Sequence, residues 1–111
     1  MPELSLIIPT FNERGNIVEL LSRIDRALPG VAWEAIFVDD DSPDDTARAL
    51  RELAQHDPRV RCLRRLRRRG LASACIEGML ASSARYVAAM DADLQHDPAL
   101  LPQMLTVLRK R

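Results

Sequence analysis

The stretch WEAIFVDDDSPDDTARALRELAQHDPRV, residues 33–60, decides the fold. It opens on a short apolar run, Trp33 to Val38, whose length and composition suit a buried strand. That run passes directly into an acidic loop carrying Asp39, Asp40, Asp41, Asp44 and Asp45. Asp44 or Asp45 then suits the N-cap of a helix whose apolar positions Ala47, Leu50, Leu53 and Ala54 recur at helical spacing. Pro58 disfavours helix in the residue before it and so ends this element. From Val60 to Leu66 apolar Val60, Cys62 and Leu66 stand among arginines, as in a strand with one wet face or at a sheet edge. Strand, helix and strand in this order form a βαβ unit, which makes its two strands parallel.

The same grammar extends in both directions. On the N-terminal side, LSLIIP at residues 4–9 reads as a strand, followed by a polar turn from Thr10 to Asn16. Ile17, Leu20, Leu21, Ile24, Ala27 and Leu28 then recur at helical spacing, with Asn16 as N-cap and Pro29-Gly30 as the stop. On the C-terminal side, Gly70 opens a helical stretch from Leu71 to Ser82. Tyr86 to Met90 forms a fourth strand that ends in Asp91-Ala92-Asp93. Pro98 suits the first turn of a last helix striped by Leu100, Leu101, Met104, Leu105 and Leu108. Four strands alternating with four helices predict a parallel sheet with helices on both faces. Ligands in such sheets bind outside the carboxyl ends of the strands. The loops expected to converge there carry Thr10, Asn12 and Glu13; Asp39, Asp40 and Asp41; and Asp91, Asp93 and Gln95.

Bulk properties narrow the function. The 111 residues suffice for one small domain, and a hydrophobic fraction of 47% is that of a globular chain. A formal net charge of zero points to neither nucleic acid nor an anionic membrane surface as a partner. Cys62 and Cys75 form no CxxC pair and no metal spacing with the histidines, so both are read as free thiols in a reducing compartment. Pro2 and Glu3 precede only a short apolar run, which does not resemble a signal segment. No stretch approaches the ~20 apolar residues that span a bilayer. The expectation is therefore a soluble, cytoplasmic chain.

An oxygen-rich site of this kind suits a hard divalent cation and a phosphate. Asp91 and Asp93 stand two residues apart at a strand end, and Gln95 adds a neutral oxygen. Taken alone, such a pair is more often a solvated loop, with Asp97 capping the following helix; its place after an apolar strand and beside an Asp-rich loop is what favours a metal. Asp39 and Asp40 are placed to accept hydrogen bonds from a base edge or ribose hydroxyls, or else to line a solvated turn. Arg67, Arg68 and Arg69 before Gly70 fit a phosphate at a helix start, but a solvated basic edge explains most of them better. Phe11 suits packing against a base or ordinary loop packing.

Four segments together resemble family 2 glycosyltransferases. IIPTFNERGNI resembles their IPxYNE opening, and FVDDDSPDDTA their VDDGSxDGT loop. RRRGLASACIEGM resembles their basic-GLxxA segment, and MDADLQHDPALLP their MDADLQHPP metal motif. The nearest group is that of polyprenol- or dolichol-phosphate mannose or glucose synthases. The resemblance implies an α/β, Rossmann-like GT-A nucleotide-diphospho-sugar transferase fold, three-layer αβα with a mainly parallel sheet. It implies that Pro9, Phe11, Glu13, Val38 and Asp40 line the nucleotide pocket, with Asp91, Ala92 and Asp93 also contacting the donor. It implies that Asp93 and Gln95 hold Mg2+ or Mn2+, Asp93 being the catalytic position. The activity implied is metal-dependent, inverting transfer of a hexose from a GDP- or UDP-sugar, of the GDP-mannose or UDP-glucose type, to a polyprenyl or dolichyl phosphate.

Some positions depart from the family pattern. Phe11 stands where tyrosine is usual, and Asp41 and Asp45 replace common glycines. If those glycines serve positive φ, aspartate is a tolerable but poorer substitute. A complete domain of this family is also about twice as long as 111 residues. The expectation is that residues 1–111 form its N-terminal nucleotide-sugar-binding part, incomplete and inactive alone. The acceptor would then be bound by a missing C-terminal half, in a parent at the cytoplasmic face of a membrane. A sheet edge and an apolar helix face left uncovered would favour self-association. Two alternatives stand beside this reading. One is a non-catalytic nucleotide-binding module. The other is a phospho-accepting receiver domain starting at FVDDDS, which leaves residues 1–29 as an unexplained leading unit.

Overall fold

A computed structural model describes residues 2–10, 14–40, 45–65, 71–90 and 98–110. Its strands are β1 (Leu4–Thr10), β2 (Trp33–Asp39), β3 (Val60–Arg64) and β4 (Tyr86–Ala89). Its helices are α1 (Ile17–Ala27), α2 (Thr46–His56), α3 (Leu71–Ala81) and α4 (Leu101–Arg109). The strands form one sheet in the order β3-β2-β1-β4, and every pairing is parallel. The order follows from two outward progressions, from β1 to β3 and from β1 to β4, which leave β1 in the middle.

Strand alternation sorts the core into two layers. Leu4, Leu6, Ile8, Trp33, Ala35 and Phe37 face one side, where Ile17, Leu20 and Ile24 of α1, Leu50 of α2 and Leu101 of α4 cover them. Ile7, Ile36 and Val38 face the other, covered by Ala74 of α3. The sheet is thus sandwiched between helices, giving the expected three-layer αβα arrangement. β3 is an edge strand and only its first residue is fully buried, as its mixed apolar and arginine pattern implies.

The helix ends differ from expectation in instructive ways. Asn16 already has helical torsions (φ −104°, ψ −14°), because a 3-10 turn over Arg14–Asn16 runs straight into α1, and its side chain makes no cap. Asp45 does occupy the N-cap position of α2, but in the left-handed region (φ 63°), and it too caps with no side-chain bond. Its carbonyl instead accepts the Ala49 N–H at 3.0 Å. Pro98 starts a 3-10 turn, Pro98–Leu100, rather than the α-helix itself. α4 begins at Leu101 because Pro102 belongs in a first turn, where its missing N–H costs nothing. Gly30, at φ 75°, turns the chain from α1 toward β2.

α3 meets the sheet through small residues. Ala74 is fully buried, and a Cβ added to Gly78 would collide with Ile7 Cγ2 and stand 3.2 Å from Val38 Cγ2. Ile76, Met79 and Leu80 turn the other way and are exposed, Leu80 by 81%. Close approach of this helix to β1 and β2 therefore rests on the absence of side-chain volume, not on interdigitated large residues. Among the described residues no helix is long and apolar enough to cross a membrane.

Candidate functional site at the carboxyl ends of the strands

The parallel register brings the loop-bearing ends together. Pro9 pairs with Val38 and Thr10 with Asp39, while Asp39 also pairs with Arg64 on β3. The ladder then continues past the strands: Asp40 N–H donates to Thr10 C=O at 3.1 Å, Arg65 N–H to Asp39 C=O at 2.8 Å and Met90 N–H to Ile7 C=O at 3.0 Å. The loops that follow β1, β2 and β4 hence start from one rim, and Asp91 is the next residue after Met90.

Consecutive aspartates at this rim serve opposite faces, because successive side chains alternate across a strand. Asp39 is fully buried and accepts the Thr10 hydroxyl at 3.2 Å. Asp40 takes a forked contact from Arg65, with Nε to Oδ1 at 2.6 Å and Nη2 to Oδ2 at 3.0 Å. Arg65 is itself buried (3% exposed), and its Nη1 donates to Ser73 Oγ at 2.8 Å and lies 3.8 Å from Glu77 Oε1. The Asp40 carboxylate raises the Arg65 pKa above its ordinary value, against the opposing effect of burial. A planar guanidinium against a planar carboxylate fixes the orientation of both groups.

The expected site residues divide cleanly. Pro9, Val38 and Asp40 are described, and the sheet brings them to the same rim. Pro9 is partly exposed, whereas the Val38 side chain is fully buried against Ile7 and Ala74 and holds α3 in place. Phe11, Glu13, Asp91, Ala92, Asp93 and Gln95 lie outside the described residues, as do Asp41 and Arg67, Arg68 and Arg69. Among the described residues no cluster of histidine, cysteine, aspartate and glutamate is arranged to hold a metal. Asp93 and Gln95, the pair singled out for that role, supply oxygen donors, which suit Mg2+ or Mn2+ chemically.

Arg65 and Ser73 are rim residues that the sequence reading missed. Nothing in one sequence separates Arg65 from its neighbours in an arginine run whose usual place is a solvated face. The other described arginines of that run have structural partners. Arg59 stacks 4.3 Å over Trp33 and bonds Asp25 and Asp57; Arg61 joins Glu34 at 2.9 Å and donates to the Ala81 carbonyl at 3.0 Å. Arg61 therefore anchors the C-terminal end of α3, where a cation suits the helix dipole, as Arg65 anchors its first turns. A cavity of about 290 Å3 lies at the amino end of the sheet beside Trp33, Pro58 and Arg59.

The receiver-domain alternative fails on topology. It would begin at β2, yet β1 is an interior strand of the sheet, hydrogen-bonded to both β2 and β4.

Comparison with known proteins agrees with the geometry. The family model of glycosyl transferase family 2 matches residues 5–111. The chain is 46% identical over 107 residues to a dolichol-phosphate mannosyltransferase of Pyrococcus furiosus, covering 96% of this chain and 30% of that protein. It is 38% identical over 109 residues to the dolichol-phosphate mannosyltransferase of Saccharomyces cerevisiae, covering 96% of this chain and 41% of that one. In structure it resembles a mannosyltransferase from Pyrobaculum calidifontis solved in complex with GDP-Man and Mn2+, with TM-score 0.71 and 30% identity over 83% of this chain and 28% of that one. The chain thus spans well under half the length of these relatives. The parallel sheet, the acidic rim at its carboxyl ends and a family match over nearly every residue agree: the chain belongs to glycosyl transferase family 2, with the GT-A fold.

Proposed function

We propose that this chain forms the donor-binding face of a metal-dependent, inverting hexosyltransferase acting on a polyprenyl or dolichyl phosphate. The observation that carries the reading is the common rim of β1, β2 and β4, from which the Asp40 carboxylate and the Asp91–Gln95 segment both depart. Asp40 accepts hydrogen bonds from the nucleoside, with Pro9, Phe11, Glu13 and the Val38 backbone beside it. Asp91 and Ala92 contact the nucleoside side, and Asp93 and Gln95 hold Mg2+ or Mn2+ against the donor diphosphate. Such a cation, when bound, neutralises charge on a leaving diphosphate. An acceptor phosphate already presents nucleophilic oxygens and needs little base assistance.

Two named relatives are dolichol-phosphate mannosyltransferases, and the structural relative was solved with GDP-Man and Mn2+, which favours GDP-mannose as donor and manganese as a suitable probe. The lipid acceptor would place the work at a membrane surface, on its cytoplasmic side. The 111 residues correspond to 30–41% of the two mannosyltransferases, so we expect donor binding by this chain without turnover.

Calorimetric titration of GDP and UDP, with and without Mn2+, tests the reading. Manganese-dependent binding of GDP that Asp93→Asn abolishes is the expected result. A folded chain that binds neither nucleotide overturns it, and sugar transfer by the 111 residues alone would refute the expected lack of turnover.

A further inference from the structure

We infer that Arg65 is a positioning residue for the donor nucleoside: its forked contact fixes the Asp40 carboxylate in the orientation that receives the ligand, and α3 braces it through Ser73. The inference rests on the proposed role of Asp40 and extends it to Arg65 and Ser73, to which the resemblance assigns no role.

The geometry supplies the argument. Arg65 Nε and Nη2 engage different oxygens of Asp40, at 2.6 and 3.0 Å, so rotation of the carboxylate about its bond to Cβ breaks at least one contact. A carboxylate oxygen has two lone-pair directions, so an oxygen that accepts from Arg65 is not saturated by that contact alone. The Asp40 side chain is 14% exposed and that of Arg65 2%, so the pair is open on the aspartate side only. Arg65 is held in turn: its backbone N–H is tied to Asp39 C=O at 2.8 Å, and its Nη1 reaches Ser73 Oγ at 2.8 Å. The chain of contacts runs from the end of β3 through the first turn of α3 to the rim of β2.

Stability alone does not account for this arrangement. A desolvated ion pair commonly contributes little net stability compared with apolar side chains of equal volume, because desolvation offsets the attraction. What the pair does supply is a fixed direction for Asp40, the one described carboxylate among the expected donor contacts. Lysine would keep the charge but not the fork, since an ammonium acts as a point charge on a flexible stem.

The experiment measures GDP and pyrophosphate binding in Mn2+ for the wild-type chain, Arg65→Lys, Ser73→Ala, Asp40→Asn and the Arg65→Lys/Asp40→Asn double variant. Loss of one well-aligned charge-assisted hydrogen bond corresponds to about a ten-fold weaker GDP affinity in Arg65→Lys, with pyrophosphate affinity unchanged. Ser73→Ala should weaken GDP about two- to three-fold in the same selective way. In the Asp40→Asn background Arg65→Lys should have almost no further effect, because both act on one contact. Unchanged GDP affinity in a folded Arg65→Lys, equal losses for GDP and pyrophosphate, or additive effects with Asp40→Asn each overturn the inference. If Arg65→Lys does not fold, Ser73→Ala decides, and unchanged GDP affinity there overturns it. A wild-type chain that binds no GDP sinks the donor-site reading and this inference with it. Wild-type binding with indifferent variants sinks the inference alone.

Discussion

Thr10 and Asp39 face each other at the last rung of the β1–β2 ladder, and the Thr10 hydroxyl donates to Asp39 Oδ1 at 3.2 Å inside the protein. Asp39 is fully buried, so this donor matters more than its length alone suggests. Thr10→Val keeps the shape and removes the donor. We expect a loss of about 1–3 kcal/mol in urea unfolding, with Thr10→Ser recovering most of it. An unchanged midpoint in Thr10→Val would show that Asp39 is satisfied without the hydroxyl.

Gly78 marks the closest approach of α3 to the sheet. Alanine is the better helix former by about 1 kcal/mol, yet its Cβ would run into Ile7 Cγ2. Lifting α3 to make room should outweigh that gain, so Gly78→Ala should be destabilising by about 1–3 kcal/mol. The Ile7→Ala substitution should cost less in the Gly78→Ala background than in the wild type, because the two share one space. A Gly78→Ala chain as stable as wild type would mean that the helix can shift freely.

Asp45 holds a left-handed conformation, at φ 63°, that other residues reach at a cost. Asp45→Gly should leave stability unchanged or raise it by up to about 1 kcal/mol, whereas Asp45→Val should lower it by about 1–2 kcal/mol. Thermal unfolding of the two variants separates this backbone effect from any role of the carboxylate. Equal midpoints for Gly and Val would refute it.

Burial pushes the Cys62 thiol up to about 11, with the negative charge of Asp39 adding to the effect and Arg51 and Arg64 opposing it. In a Cys75→Ser background, iodoacetamide at pH 8 should therefore modify Cys62 about a hundred-fold more slowly than an ordinary thiol. The rate should climb with pH up to about 11. The folded pKa lies above the unfolded one, so the associated stability is complete below the ordinary thiol pKa and is lost as pH rises through about 11. Rapid labelling at pH 8 without unfolding would contradict this.

Apolar side chains face outward on both sides of the sheet. Ile76, Met79 and Leu80 project from α3, and Leu100, Met104 and Val107 are exposed on and beside α4. Next to the outermost strand β4, a cavity of about 310 Å3 is lined by Val87, Ala88, Met104, Val107 and Leu108. We expect this surface to drive self-association of the chain. Sedimentation equilibrium should give an average mass that rises above 12.5 kDa with concentration, and Leu80→Lys with Met104→Lys should restore the monomer. A wild-type mass of one chain at all concentrations would refute it.

Much of this protein was legible in its residues. Apolar runs, helical stripes and proline and glycine breakers placed the four described strands and four described helices to within a few positions, because all are local properties of the chain. Alternation of strand and helix gave the parallel sheet, and the four motif segments gave the family. The arginine run shows where that reading stopped. Arg59, Arg61 and Arg65 look alike in sequence, yet one stacks on Trp33, one bonds the end of α3 and one is buried against Asp40. Likewise residue type alone allowed Asp39 and Asp40 the same roles, and the structure puts them on opposite faces.

The sequence by itself determined the order of elements and the fold class, because each depends on residue type and spacing along the chain. Only the tertiary structure decided which carboxylate is buried beside Thr10, which is braced by Arg65, and why Gly78 lies against Ile7. Those relations join residues 25 to 71 positions apart, and their partners are selected by register and helix docking, which no local pattern encodes.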